Sequence, residues 1–270
     1  MDVKKICVIG LGEVGFNTAM YCKNRGIEVF GYDIDPDAVG KALKNGVYAS
    51  TRWKDIIRCD IYIICVSTGL DMDGNPDMSA VMEVSRRLVS KKPKLVCLES
   101  TVMPGTTRKI WTEVFDKKIP IVHCPQRYWG EDPRKRGIRR LRVIRGTDLT
   151  GSLLGQYFYR VVLNIPMHIV SSVEVAELCK VLENAHRYLQ IAAAEEFKIL
   201  ANKFKVDFDE LREAINTTGN PPLLEARDGI GGHCLPMAAG LTFNLYGDKE
   251  LLLVARMIDV AYRKWLAGTP

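Results

Sequence analysis

The residues of this chain with the clearest chemical potential are Asp-Gly-Ile-Gly-Gly-His-Cys-Leu-Pro at positions 228–236. Three glycines within four positions allow backbone angles that are closed to other residues, and they allow the backbone to approach a ligand closely. A thiol held in such a loop could act as a nucleophile. The competing interpretation is a small buried side chain, which is the usual fate of a free cysteine. Cys234 is therefore a candidate catalytic residue, and the candidate substrate-binding residues beside it are Gly231, Gly232 and His233.

A second pair of polar side chains, Lys180 and Asn184, lies four residues apart in a stretch with helical patterning. This spacing places both side chains on one face of the helix. A lysine and a carboxamide that face a crevice can stabilise an oxyanion, hold a water, or move a proton from a hydroxyl that is being oxidised. Alternatively, Lys180 forms surface ion pairs with Glu177 or Glu183. The nucleotide-binding signature at the start of the chain favours the catalytic interpretation of Lys180 and Asn184.

That signature is a glycine-rich turn between an apolar strand and a helical pattern, Gly10-Leu11-Gly12-Glu13-Val14-Gly15. In a G-x-G-x-x-G motif the first glycine permits a tight turn, the second admits a pyrophosphate, and the third lets the helix pack on the strand. Asp33 ends a second predicted strand 18 residues after Gly15. Its carboxylate can accept hydrogen bonds from ribose hydroxyls and would repel a 2′-phosphate. The motif predicts NAD rather than NADP, bound by Gly10, Gly12, Glu13, Val14, Gly15 and Asp33.

Strand-like and helix-like segments alternate to about residue 170, which predicts a Rossmann-type, doubly wound, mostly parallel sheet. Ligands of such sheets lie at the carboxyl ends of the strands. The polar segments that follow predicted strands there are Ser67-Thr68, Glu99-Ser100-Thr101 and Pro125-Gln126-Arg127. We predict that Thr68 and Thr101 contact the cofactor and that Arg127 contacts the substrate. Each segment could instead only cap the following helix, and Ser100 fits that role equally well.

Beyond the predicted sheet the pattern becomes helical. Ser171 and Glu174 have the spacing of a capping box and open a helix that continues to about Phe204. Such a helix is roughly 45 Å long, which is too long for the surface of one small domain. It is predicted to link two domains and to pair with a copy of itself in a homodimer. We therefore expect a Rossmann domain at residues 1–170 and an all-helical domain, which carries the cysteine loop, at 171–270.

Composition narrows the range of partners. The chain has 270 residues, 47% of them hydrophobic, and a formal net charge of +6. No segment approaches the roughly 18 uncharged apolar residues of a membrane span, and the start lacks a signal-peptide pattern, so we expect a cytoplasmic protein. Eight cysteines without C-x-x-C spacing predict free thiols and no metal site.

A run of basic residues could meet an anionic small molecule or form a solvated surface. Nucleic acid is not expected, because no aromatic residues are interleaved with the basic ones. The run comprises Arg134, Lys135, Arg136, Arg139, Arg140, Arg142 and Arg145.

Four segments of the chain resemble motifs of the nucleotide-sugar dehydrogenases, the UDP-glucose/GDP-mannose/UDP-N-acetylmannosamine 6-dehydrogenase family, in the same order. Residues 66–77, VSTGLDMDGNPD, resemble V-P-T-P-L-D-x-D-G-x-P-D, and residues 99–107, ESTVMPGTT, resemble E-S-T-V-x-P-G-T-T. Residues 180–184, KVLEN, resemble K-L-x-E-N, and residues 231–236 resemble G-G-H-C-L-P.

This resemblance implies the oxidation of a primary alcohol to an acid with two NAD. By analogy, a first hydride leaves C6, Cys234 attacks the aldehyde to give a thiohemiacetal, a second hydride leaves, and water cleaves the thioester. Lys180 and Asn184 would steady the oxyanion, and Thr101 would help to place the water. The implied substrate is a nucleotide sugar or another anionic alcohol.

The chain also departs from the family pattern. Gln126 occupies the position of a glutamate that the family uses for proton transfer and hydrolysis, and an amide cannot accept a proton at neutral pH. Ala238 replaces an aspartate, and Ala226-Arg227 replaces Pro-Gly. The chain stops before the family's C-terminal nucleotide-binding domain. These departures predict that a covalent adduct forms more readily than it is hydrolysed.

Two other functions compete with the two-step oxidation. The 3-hydroxyacid and 6-phosphogluconate dehydrogenases also place K-x-x-x-N on a linking helix, and this resemblance implies a one-step oxidation with Lys180 as the acid/base. The third hypothesis is a non-catalytic NAD-binding protein that serves as a sensor or as a partner of a complete dehydrogenase. The replacements at Gln126 and Ala238 motivate it.

Overall fold

The computed structural model describes residues 3–128, 137–232, 234–245 and 250–268. The chain divides into two compact units. The first comprises residues 1–68 and 77–180, and the second comprises residues 69–76 and 181–270. The sequence predicted a division after residue 170, whereas the contacts divide the chain inside a long helix and assign a short early segment to the second unit.

An eight-stranded sheet forms the centre of the first unit. In sheet order its strands are β10 (Met167–Ile169), β9 (Arg142–Gly146), β8 (Ile121–His123), β7 (Leu95–Leu98), β4 (Ile61–Ile64), β1 (Lys5–Ile9), β2 (Glu28–Tyr32) and β3 (Tyr48–Ser50). The only antiparallel pair among the described strands of this sheet is β8 with β9. The predicted mostly parallel Rossmann-type sheet is confirmed.

Apolar runs form the central strands because both faces of the sheet are covered. Every residue of β4 and β7 is buried. Along β1, Ile6 and Val8 pack into one apolar cluster, while Cys7 and Ile9 pack into another. This alternation follows from the two-residue period of a strand and gives the sheet a core on each face.

Helices connect the strands of this unit, and two of the described ones begin at side-chain caps. Asp35 accepts a hydrogen bond from the Asp37 amide, and Asp148 accepts one from the Gly151 amide. The helices are Glu13–Asn24, Pro36–Lys44, Ser79–Leu88, Thr106–Lys109 and Leu149–Gln156, with π-helical continuations at Ile110–Val114 and Tyr157–Val162 and short 3₁₀ turns at Trp53–Asp55 and Val89–Lys91.

The 31-residue helix Val173–Lys203 runs from the first unit into the second, which is otherwise helical apart from the short strands β5 (Gly69–Leu70) and β6 (Pro76–Asp77). Three further described helices follow: Phe208–Asn216, Cys234–Leu245 and Glu250–Leu266. Small side chains on the long helix let the last helix pack closely; for example, Ala192 and Ala255 share one apolar cluster. None of the described helices is long and apolar enough to cross a membrane.

Candidate active site

The glycine-rich turn after β1 has the geometry of a phosphate-binding loop. Gly10 has φ +87°, and a Cβ there would lie 2.5 Å from the Cys65 carbonyl oxygen. A Cβ at Gly15 would lie 1.8 Å from the Gly10 oxygen, so the helix can pack here only with glycine. At Gly12 an added Cβ would meet no atom within 4 Å. The space beside Gly12, at the start of helix Glu13–Asn24, fits the pyrophosphate of a dinucleotide.

Asp33 lies directly after β2 and is held against this turn. Its Oδ2 accepts a hydrogen bond from the Leu11 amide at 2.5 Å, and its Oδ1 accepts one from the Asp35 amide at 2.9 Å. Each carboxylate oxygen can accept a further hydrogen bond, so the group keeps acceptors for ribose hydroxyls. The residues predicted to bind the cofactor, Gly10, Gly12, Glu13, Val14, Gly15 and Asp33, thus lie together in the first unit.

Thr68 and Thr101 are also brought together in the first unit, where they follow the carboxyl ends of the adjacent strands β4 and β7. The Thr68 hydroxyl donates to the Thr101 carbonyl oxygen at 2.5 Å. Ser100 is buried and donates to the Val66 carbonyl oxygen at 2.7 Å. Its hydroxyl therefore links the two strand ends instead of capping a helix.

A buried polar network centred on Glu99 lies beneath these strand ends. Arg142 Nη1 contacts Glu99 Oε1 at 2.8 Å, and both side chains are at most 1% exposed. The Tyr159 hydroxyl donates to the same oxygen at 2.7 Å. Gln126 Nε2 donates to Glu99 Oε2 at 2.8 Å and to the Thr18 hydroxyl at 3.0 Å. Burial acts against the charged guanidinium, yet Glu99 and its other neighbours raise the pKa of Arg142 above its usual value.

This network corrects one expectation. Arg142 was counted in the basic run that could meet an anionic molecule, but it forms a buried ion pair because it lies on a covered strand. Gln126 is also buried, and its amide nitrogen is used by the network. Of the same run, Arg139 and Arg140 are exposed, and residues 134–136 lie outside the described residues. Sequence reasoning missed Arg142 and Tyr159 as partners of Glu99, because only the fold brings them together.

A second buried carboxylate, Glu177, joins the long helix to the segment after Thr101. Its oxygens accept hydrogen bonds from the Gly105 amide at 2.6 Å, the Thr107 amide at 2.7 Å and the Thr107 hydroxyl at 2.5 Å. Burial raises the pKa of Glu177, although these hydrogen bonds oppose the rise. Glu177 therefore caps the short helix at Thr106 and fixes the part of the long helix that carries Lys180. Because Glu177 lies three residues before Lys180 in the sequence, an ion pair between the two was one expectation. The capping of the helix at Thr106 was not expected.

The predicted polar residues on and near the long helix fall in both units. Arg127 belongs to the first unit, where its guanidinium donates to the Leu141 carbonyl oxygen at 3.1 Å and contacts Cys179 Sγ at 3.7 Å. Lys180 is partly buried in the same unit. Asn184 is buried, 8% exposed, and belongs to the second unit.

Cys234 lies in the second unit as the first residue of helix Cys234–Leu245. It is exposed, whereas the seven other cysteines are buried or partly buried, so the interpretation of Cys234 as a buried thiol is wrong. Gly231 and Gly232 before it are exposed, and an added Cβ at either would meet no atom within 4 Å. His233 lies outside the described residues. A solvent-accessible thiol between open glycines and the start of a helix is well placed for nucleophilic attack.

Ala238, four residues after Cys234, is buried in the same helix with 0% exposure. Its methyl group lies in the apolar interior of the unit, where an unpaired carboxylate would be costly. In the described part of the second unit, the helix that begins with Cys234 therefore has no acidic side chain at position 238.

Both parts of the chain match models of domains from one protein family. Residues 39–151 match the model of the UDP-glucose/GDP-mannose dehydrogenase family, NAD binding domain, and residues 174–259 match the model of that family's central domain. The UDP-N-acetyl-D-mannosamine dehydrogenase of Methanococcus maripaludis is 31% identical over 96% of this chain. The chain spans 65% of the length of that relative.

Solved structures agree with these matches. The structure of UDP-D-ManNAc dehydrogenase from Pyrococcus horikoshii has a TM-score of 0.86 and 28% identity, and the alignment covers 98% of this chain and 70% of that one. A 3-hydroxyisobutyrate dehydrogenase from Mycobacterium tuberculosis shares the fold, with a TM-score of 0.71 and 18% identity, over 98% of this chain and 94% of that one.

Proposed function

Because the chain belongs to the UDP-glucose/GDP-mannose dehydrogenase family, we propose that it is an NAD-dependent oxidoreductase that converts a primary alcohol to an acid through Cys234. The substrate class is a nucleotide sugar or another anionic alcohol, since the similar proteins are named for nucleotide-sugar substrates. The observation that carries the proposal is the exposed thiol of Cys234 at the start of a helix in a chain that also has an open dinucleotide loop.

The roles of the residues follow from their chemistry. The amides around Gly12 and the Asp33 carboxylate hold the pyrophosphate and ribose of NAD, which accepts hydride when bound. Lys180 takes the proton of the alcohol as the aldehyde forms. The Cys234 thiolate then adds to the aldehyde carbon, and Lys180 with Asn184 stabilises the oxyanion of that adduct. After the second hydride has left, water replaces the sulfur, with Thr101 holding the water.

The test is a count of NADH formed per substrate consumed. The protein is incubated with NAD and a panel of UDP-sugars, sugar phosphates and small hydroxyacids. Two NADH per substrate, with acid as the product, is the expected result for a nucleotide sugar. One NADH per substrate would instead identify the one-step reaction with Lys180 as the acid/base. Absence of NADH with every substrate, despite measurable NAD binding, would identify the non-catalytic protein.

The one-step reaction is favoured by one specific observation. Gln126 has no basic group, and its amide nitrogen donates hydrogen bonds to Glu99 and Thr18. An oxidation that ends at the first hydride needs neither a base at position 126 nor an acid at Ala238. We retain it as the second candidate function.

Asp33→Ala is expected to weaken binding of NAD more than binding of NADP. The variant removes acceptors for the ribose hydroxyls and also removes a charge that repels a 2′-phosphate. We expect an NAD affinity about tenfold lower or more, since hydrogen bonds to a charged group contribute about 1.5–3 kcal/mol. Fluorescence titration with each cofactor measures the effect, and equal weakening of both would contradict the ribose assignment.

We also propose that the protein acts as a cytoplasmic homodimer paired through the long helix. Large apolar side chains remain exposed along this helix, among them Leu182, Phe197 and Leu200, and Phe204 directly after its end is exposed as well. Phe197, Leu200 and Phe204 follow the three- to four-residue spacing that places side chains on one face of a helix, and an exposed apolar face is typical of an interaction site. Sedimentation equilibrium is expected to give twice the chain mass of 30.3 kDa, and a Leu200→Glu/Phe204→Glu variant is expected to sediment as a monomer.

A further inference from the structure

The loop that leads to Cys234 is tied to the last helix, Glu250–Leu266. The Tyr262 hydroxyl donates to the Arg227 carbonyl oxygen at 2.6 Å, and the Ile230 amide donates to Asp259 Oδ1 at 2.7 Å. Gly229 has φ +96°, and a Cβ there would lie 2.5 Å from the guanidinium carbon of Arg263. These contacts fix the backbone of residues 227–230, which precede the cysteine by a few positions.

Glu195 approaches the same anchor from the long helix. Its side chain is completely buried, and neither carboxylate oxygen has a hydrogen-bond donor among the described residues. Asp259 of the last helix lies close enough for its charge to act on the Glu195 carboxyl. Arg263 Nε lies 3.1 Å from both oxygens of Asp259, so the guanidinium contacts Asp259 and leaves the Glu195 carboxylate without a contacting cation among these groups. Two buried carboxylates with one cation are strongly unfavourable unless one of them is protonated.

The surrounding charges support this arrangement. Burial raises the pKa of Glu195 most, the charge of Asp259 raises it further, and Arg263 lowers it in part, which gives a pKa of about 7. Tyr188 also lies near on the long helix, with its own pKa raised by burial, and Arg256 acts on Tyr188 from the last helix. Helix Cys234–Leu245 contains no charged residue. A proton on Glu195 can therefore be donated to Asp259 near neutral pH.

We propose that Glu195 and Asp259 form a buried acid pair that holds one proton, and that this proton keeps the Asp259–Ile230 hydrogen bond, and with it the loop that precedes Cys234, in place. When the proton is lost, two adjacent negative charges repel each other and the anchor of Ile230 weakens. Both acids are positioning residues for Cys234. The importance of the pair for turnover rests on the proposed function, whereas the existence of the pair does not.

Hydrogen exchange of the Ile230 amide tests the pair in the full chain without substrate. Exchange is followed from about pH 5.5 to about pH 8.5 and corrected for the intrinsic rate of the amide. We expect the protection of the Ile230 amide to fall by about tenfold or more across this range. Each unit by which the pKa of the acid pair differs between the closed and the open loop changes the closed-to-open equilibrium about tenfold. Glu195→Gln is neutral at every pH and is expected to remove this step. Glu196→Gln is the matched control, because Glu196 is the exposed neighbour and should leave the step unchanged.

Alkylation of Cys234, measured on its own peptide by mass spectrometry, gives a second reading. In wild type and in Glu196→Gln, the rate of Cys234 alkylation should rise with pH more steeply than ionisation of the thiol alone would cause. In Glu195→Gln, the rate should rise only as the thiol ionises. If Glu195→Gln fails to fold, Asp259→Asn takes its place, because the asparagine oxygen can still accept from Ile230 while one charge is removed.

Protection of Ile230 that does not depend on pH, or an identical pH step in both glutamine variants, would overturn the proposal. Neither measurement uses turnover. An inactive protein with the pH step would refute the proposed function alone, and an active protein without the step would refute the acid pair alone.

Discussion

Cys234→Ser is expected to abolish acid formation from a nucleotide sugar, with kcat for the second oxidation lowered about a thousandfold or more, as is typical when a covalent nucleophile is removed. A serine hydroxyl is far less ionised than a thiol at neutral pH, so the adduct with the aldehyde would not form. The first oxidation does not need the thiol, and the variant should therefore release aldehyde after one NADH. Product analysis with a carbonyl reagent, together with the NADH count, measures both effects.

Cys59→Ser is the matched control for this experiment. Cys59 is buried in the first unit, where its sulfur contacts the Ile57 carbonyl oxygen at 3.6 Å, and a serine hydroxyl can keep that contact. The control should retain both oxidations. Full acid formation by Cys234→Ser would show that the covalent route is wrong and would leave the direct oxidation of a hydrated aldehyde as the explanation.

Arg142→Met is expected to lower the free energy of unfolding by about 3–5 kcal/mol, because it leaves the buried carboxylate of Glu99 without its cation. The Tyr159 hydroxyl and the Gln126 amide would remain as donors, but neither carries a charge. Urea denaturation followed by circular dichroism measures the loss. It should be accompanied by weaker NAD binding, since Glu99 precedes the strand-end residues Ser100 and Thr101.

A double-mutant cycle separates the ion pair from simple loss of volume. Glu99→Gln/Arg142→Met should be more stable than Arg142→Met alone, because the uncompensated charge is removed. Arg108→Met is the control, since Arg108 pairs with Glu174 at a partly exposed position and should cost at most about 1 kcal/mol. Equal losses for Arg142→Met and the double variant would show that packing, not charge, dominates at this site.

The sequence was sufficient for the sheet and for the residues of the dinucleotide loop because those signals are local. The spacing of Gly10, Gly12 and Gly15 between a strand and a helix predicts their arrangement without any distant contact. Family membership was also predicted from short motifs and is confirmed.

What the sequence could not supply depends on contacts between distant residues. Arg142 and Tyr159 lie 43 and 60 positions after Glu99, so no local pattern joins the three residues. The same holds for Glu177 with Thr107 and for Asp259 with Ile230. The roles assigned to Cys234, Lys180, Asn184 and Arg127 stay predictions, to be tested by the experiments above.

The hydrogen bond from Gln126 to Glu99 determines how a glutamate substituted at position 126 would behave. A glutamate at position 126 would meet the Glu99 carboxylate at the 2.8 Å distance now spanned by the amide. It would be retained there as a neutral acid that donates to Glu99, since two carboxylates in such contact hold a proton between them. While that proton is held, a glutamate at position 126 would act as a hydrogen-bond donor to Glu99, as Gln126 does now. Positions 99 and 126 are in direct contact, so the effect of a substitution at one is expected to depend on the residue at the other.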